Sequence, residues 1–315
     1  MSKYTDDLDI FDEKKINKAI KKGKTKTIIT IVLVSILVFV VLNILNFAIS
    51  AYYSQKAFKQ WDAYVRLSTP NGYISETVDS RGFLGGISTY KVSKDMKFKS
   101  LVIEQKQYPF GLIPSVLISR GSGGSIGVTG EDWQFRYKEN GWRDMVFFHP
   151  DVTYKKYKND SDLIQSMQGE KIYEVALSFD KPYKQSELFS IELPEMTWFW
   201  INTYTDNQIK TLQKEAKEHD WSSTFIHEHE ALGFSTNSTY PSTTDLAYEY
   251  GNFLDLLQTS VSSRHQKAYN TIKNVNMEEI EILGVVVYGT KDEILEIMKE
   301  PSIKAASLGG IVENY

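Results

Sequence analysis

The chain of 315 residues contains no cysteine, which excludes disulfides, thiolate nucleophiles and cysteine-type zinc sites. That absence is compatible with an exported bacterial domain that does not rely on oxidative folding. Low-complexity tracts and strict repeats are also missing, and 42% hydrophobic with 24% charged residues is an ordinary globular composition. Most of the chain should fold. A basic surplus is lacking as well: the net charge is −4, and because residues 1–26 carry eight Lys against five Asp or Glu, the remainder carries −7. Phosphate binding needs a basic surface, so a direct nucleic-acid partner is not expected.

No charged side chain occurs between Lys26 and Lys56. Within that gap TIITIVLVSILVFVVLNILNFAISA, residues 27–51, is long enough as a helix rising about 1.5 Å per residue to cross a hydrocarbon layer about 30 Å thick. One transmembrane helix is predicted. Asn43 and Asn46, its polar exceptions, are expected near the outer interface, where water satisfies them; the alternative is a helix-pairing role. Lys14, Lys15, Lys18, Lys21, Lys22, Lys24 and Lys26 crowd one flank, and the positive-inside rule puts that flank in the cytoplasm and the large remainder outside. The competing reading is a signal peptide cleaved before Ala51. The apolar run is about twice as long as a signal core, which favours an uncleaved anchor.

The expected fold class is α+β: a single N-terminal transmembrane helix followed by a mixed extracytoplasmic region. Four parts are expected: a cytoplasmic tail (1–26), the membrane helix (27–51), a strand-rich extracytoplasmic region (52–155) and a helix and strand C-terminal domain (156–315). Residues 52–64 should extend the helix out of the bilayer, with Tyr52, Tyr53 and Trp61 suited to the interface. YISETV, GGISTYKV, KSLVIEQ, PSVLIS, DWQFRY and DMVFF then read as strands between Gly, Pro, Asn and Asp, with Asn140-Gly141 as a hairpin turn. Further on, SDLIQSMQG opens a short helix, IYEVALSF and MTWFWINTY are strands, and Thr205-Asp206-Asn207 caps a helix through Lys217. A longer helical pattern covers Thr244 to about Ile272. Finally, IEILGVVVY is a buried strand, Thr290 and Glu293 form a capping box, Pro301 stops the helix, and SIKAASLGGIV returns extended.

Two strings invite chemistry. Gly123-Gly-Ser125-Ile-Gly127 fits the nucleophile-elbow pattern, but that mechanism needs a helix after the serine and VTGEDWQFRY reads as a strand. No Lys follows these glycines, so a phosphate loop is excluded too. His227 and His229 would share a strand face, which gives two of the three or four ligands zinc requires. No catalytic, cofactor or metal residue is assigned.

The lysine-rich KKGKTKTIITIVLVSILVFVVLNILNFAISAYYSQ, together with MTWFWINTYT, LAYEYGNFLDLL and ILGVVVYGTKDEILEIMKEPSIKAASLGG, resembles the membrane-bound sigma factor regulators, or anti-sigma factors, of Bacillus-like Firmicutes. The resemblance implies a cytoplasmic tail that holds an extracytoplasmic-function sigma factor inactive and an exported domain that senses or relays envelope conditions. The tail is short for such a regulator, and the absence of Cys, with no His before His149, departs from the zinc-containing type. It would therefore fold on its partner or act with a second membrane protein. Leu8, Ile10 and Phe11 among acids that include Asp12 and Glu13 offer apolar anchors within a negative field. Ile16 and Ile20, four residues apart, share one helical face. The alternatives are an extracytoplasmic binding or assembly module without sigma factor contact, and a membrane-anchored hydrolase.

Overall fold

The computed structural model describes residues 13–113, 142–189, 191, 193–219, 224–236 and 242–313. Its first element, α1 (Glu13–Ser68), is one uninterrupted helix of 56 residues. The middle of this helix is lined all round by exposed Ile, Leu, Val and Phe, and it is the one described helix long and apolar enough to cross a membrane. Thr25, Thr27 and Thr30 donate their hydroxyls to the carbonyls of Lys21, Gly23 and Lys26 at 2.9–3.0 Å, so the polar groups entering the span are satisfied within the helix. The helix continues well past the apolar run, as the sequence indicated, and stops at Ser68. Pro70 disfavours helical backbone at the residue before it, and Asn71 turns the chain in the left-handed region at φ 57°.

Three antiparallel strands follow, β1 (Gly72–Arg81), β2 (Gly85–Asp95) and β3 (Ser100–Gly111), in the order β1-β2-β3. This sheet lies along the C-terminal part of α1. There it buries Ser50, Ser54, Ala63 and Val65, a side of the helix that the hydropathy profile does not distinguish from the rest.

The second sheet is antiparallel throughout, in the order β10-β5-β9-β6-β8. Its strands are β5 (Lys171–Tyr183), β6 (Glu195–Ile201), β8 (Gly233–Ser235), β9 (Ile282–Gly289) and β10 (Ile303–Glu313). Both faces are covered, which is why the central β9 reads as a continuous apolar run rather than an alternating one. Ile282, Val285 and Val287 point into one core with Leu246, Phe253, Ile272 and Ile294. Leu283, Val286 and Tyr288 point into the other, with Trp198, Trp200, Phe147 and Met96.

The helices on the first face are α2 (Ser161–Ser166), α5 (Thr243–Thr259), α6 (Ser263–Ile272) and α7 (Lys291–Ile297); a short turn, α3 (Gln185–Leu188), follows β5. On the second face β4 (Val146–Phe147) pairs with β7 (Ile226–His227), and α4 (Asp206–Glu218) packs Ala216 against Val146, Phe148 and Phe225. Residues 145–154 thus belong to the core built by the C-terminal strands.

The helical pattern from Thr244 to Ile272 is two helices rather than one. Ser260 ends α5, and Gln266 from α6 donates to the carbonyls of Leu257, Gln258 and Ser260 at 2.6–3.0 Å. That amide satisfies the orphan carbonyls a helix end leaves. The capping box before α7 is present, with Thr290 N–H donating to Glu293 at 2.8 Å. PSVLIS, DWQFRY and the Asn140-Gly141 turn lie outside the described residues, and of DMVFF only Val146 and Phe147 are strand.

Candidate functional site

The helix α1 has a functional reading at each end. Of the predicted contact residues, Leu8, Ile10, Phe11 and Asp12 lie outside the described residues, and Glu13 opens α1. Ile16 and Ile20 are on α1, both exposed, at 38% and 51%. The second half of the tail is therefore helical in continuity with the membrane span. It does not need a partner to become helical, because a long, strongly apolar helix already supplies the nucleus that a short peptide lacks.

The C-terminal end of α1 is locked into the folded part of the chain that follows it. Leu67 is fully buried in the core formed by Tyr173, Phe199, Leu246 and Val285. Ser68 Oγ lies 3.2 Å from His265 Nε2, Ser260 Oγ lies 2.7 Å from its Nδ1, and Tyr64 stacks on the ring. Burial pulls His265 down to about 4, with Arg264 adding to the effect, so it is a neutral hydrogen-bonding partner at physiological pH. Just beyond, Asn71 donates to Thr197 Oγ1 and Tyr288 Oη, both at 2.8 Å, and Tyr288 donates to the carbonyl of Asp95. Burial, then the nearby carboxylates, hold the Tyr288 phenol well above its usual range. Beside this joint a cleft of about 400 Å³ opens between α1, β8 and α5, lined in part by Asp62, Arg66, Glu249 and Asp255.

A buried charge cluster joins the two sheets. Lys94, near the end of β2, is fully buried, and its Nζ stands 3.0 Å from Glu174 Oε1 on β5 and 2.7 Å from Glu228 Oε1. The outer oxygens are also held: Glu174 Oε2 accepts from Gly310 N–H at 2.9 Å and Glu228 Oε2 from Met145 N–H at 3.0 Å. One cation faces two carboxylates, so full ionisation would leave a buried negative charge. Burial pushes Glu228 up to about 7 against the pull of Lys94, with Glu174 adding to the rise. Burial alone would lower Lys94, but the two facing carboxylates outweigh it and hold it above its ordinary value. Of these residues only Glu174 left a trace in the sequence, as a lone carboxylate inside the apolar run IYEVALSF. Lys94 and Glu228 sit in ordinary polar surroundings along the chain.

The chemical candidates resolve differently. Ser125 and its glycines lie outside the described residues. His227 ends β7, whereas His229 falls in a 3-10 turn (Glu228–Glu230), so the two do not share a strand. Their rings stack with centroids 5.6 Å apart. Among the described residues no group of three or more His, Asp or Glu could hold a metal ion.

A helix able to span a bilayer, fixed at its C-terminal end into a folded α+β domain, defines a single-pass membrane protein. Residues 17–100 match the family described as sigma factor regulator N-terminal, and residues 164–310 match sigma factor regulator C-terminal. Together these segments cover most of the chain, and the protein belongs to the sigma factor regulators: it is an anti-sigma-factor-type regulator, from families that are regulatory rather than enzymatic. Neither the curated proteins nor the solved structures provide a match.

Proposed function

We propose that the protein is a membrane-anchored anti-sigma factor of an extracytoplasmic-function sigma factor, with the tail in the cytoplasm and the two sheets outside the cell membrane. The observation that carries this reading is the unbroken α1, which connects the exposed Ile16 and Ile20 to Leu67 in the exported core. A rigid helix transmits tilt, rotation or displacement between its ends, and a flexible linker does not. The acidic and apolar residues Leu8, Ile10, Phe11, Asp12 and Glu13, followed by Ile16 and Ile20, meet the basic DNA-binding surface of the sigma factor by charge complementarity and apolar anchoring. A second membrane protein supplements the short tail.

Deleting residues 2–13 while retaining the lysines from Lys14 onward tests this. The expected outcome is loss of sigma factor co-purification from detergent-solubilised membranes, together with raised transcription of its target genes. Unchanged co-purification and transcription, with normal amounts of protein in the membrane, would favour an exported binding or assembly module.

A further inference from the structure

The turn between β1 and β2 docks on the membrane helix itself. Asn46, inside the apolar run, donates from Nδ2 to the carbonyl of Gly82 at 3.2 Å and accepts at Oδ1 from Leu84 N–H at 2.5 Å. Arg81 lies over the Phe47 ring, 4.8 Å from its centroid. Asn46 is thus satisfied by protein and not, as the sequence suggested, by interfacial water; Asn43 donates locally to the carbonyl of Phe39.

Depth follows from the helix. Asn46 is twenty residues beyond Lys26, so with Lys26 at the inner boundary it stands about 30 Å further on, at the outer edge of the hydrocarbon layer. The turn held at that level exposes Phe83 at 72%, and the adjacent end of β3 exposes Leu112 at 56% and Ile113 at 55%. No charge occurs in residues 82–88 or 107–113. The backbone here is closed on itself: Gly82 N–H donates to Gly85 O at 2.8 Å, and Leu112 N–H to Leu84 O at 2.9 Å. Apolar side chains on an internally bonded backbone are what entry into lipid requires.

We infer that Phe83, Leu112 and Ile113 form a second membrane contact, a sheet tip immersed in the outer leaflet beside α1, so that lipid bears directly on the sheet that carries Lys94. The inference rests on α1 spanning the bilayer, and the test separates the two. With no native cysteine, Phe83→Cys, Leu112→Cys, Leu37→Cys and Val261→Cys are each labelled with an environment-sensitive fluorophore. The full-length protein is then reconstituted in phosphatidylcholine and phosphatidylglycerol vesicles, with and without lipid carrying a nitroxide near the headgroup end of an acyl chain or, for Leu37→Cys, near its methyl end, because Leu37 lies about half-way through the layer. Labels at Phe83→Cys and Leu112→Cys should emit to the blue of the Val261→Cys label and lose most of their emission to the nitroxide lipid, while Val261→Cys keeps its own. Unquenched labels at both tip positions, with Leu37→Cys quenched, overturn the inference. Water-like emission would then leave the tip in solvent, and blue-shifted emission would put a second copy of the chain over it. An unquenched Leu37→Cys overturns the spanning helix itself.

Discussion

Glu228 gives the molecule a buried proton-dependent residue. Between its usual value near 4.5 and its folded value of about 7, the folded chain keeps a proton that the unfolded chain has released. Stability therefore falls as pH rises through that window. In Glu228→Gln, which keeps an acceptor for Met145 N–H, the thermal midpoint of the detergent-purified protein should decline less between about pH 5 and 8 than in the wild type; parallel curves would show that Glu228 does not titrate there. Lys94→Met removes the cation that faces both carboxylates, and breaking such a buried pair costs about 3–5 kcal/mol. Chemical denaturation at pH 7.5 should register a loss of that size, smaller at pH 5, where a neutral Glu228 lessens the repulsion. On the acid side His149 and His265, both lowered to about 4 by burial, oppose folding below about 6.5, where only the unfolded imidazoles take protons.

At the scale of an element, α1 matters because it does not end where the membrane ends. Its C-terminal third is neither a linker nor free in water: the first sheet leans on it, and Leu67 and Ser68 anchor its last turn. Inserting two glycines after Gly23 would interrupt the rod between Ile20 and the span without touching the apolar run or the packed C-terminal end. The expected outcome is a protein that still retains the sigma factor but whose target genes no longer respond to envelope stress in a reporter assay. A preserved response would mean that the signal travels by another route. Leu67 itself is a packing residue, and Leu67→Ala should cost about 2–5 kcal/mol by cavity formation, read as a lowered midpoint of denaturation.

For the whole molecule the decisive question is orientation. The lysines before the span predict an inner N-terminus, and the absence of cysteine makes this directly measurable. In intact cells a membrane-impermeant maleimide should label Tyr248→Cys, whose native side chain is 69% exposed on α5, and should reach Gly23→Cys only after permeabilisation. The reverse pattern would turn the protein round and place the acidic tail outside.

Hydropathy and local capping made much of the fold legible along the chain. The uncharged run dictated α1, the continuous apolar stretch of β9 announced a strand buried on both faces, and Thr290 with Glu293 marked the start of α7. These features depend on side chains within a few residues of one another. The break between α5 and α6 was hidden because Gln266 reaches back across it, and His227 and His229 parted because a 3-10 turn intervened. Ile16 and Ile20 were legible as one helical face, while the Lys94, Glu174 and Glu228 cluster was not. By itself the sequence determined a membrane helix, its lysine flank and the kinds of elements that follow, since hydrophobicity, charge and capping act locally. Only the tertiary structure decided that Asn46 meets a sheet turn, that Leu67 enters a distant core and that one lysine holds two carboxylates, because each requires residues 36 to more than 130 positions apart to meet in space.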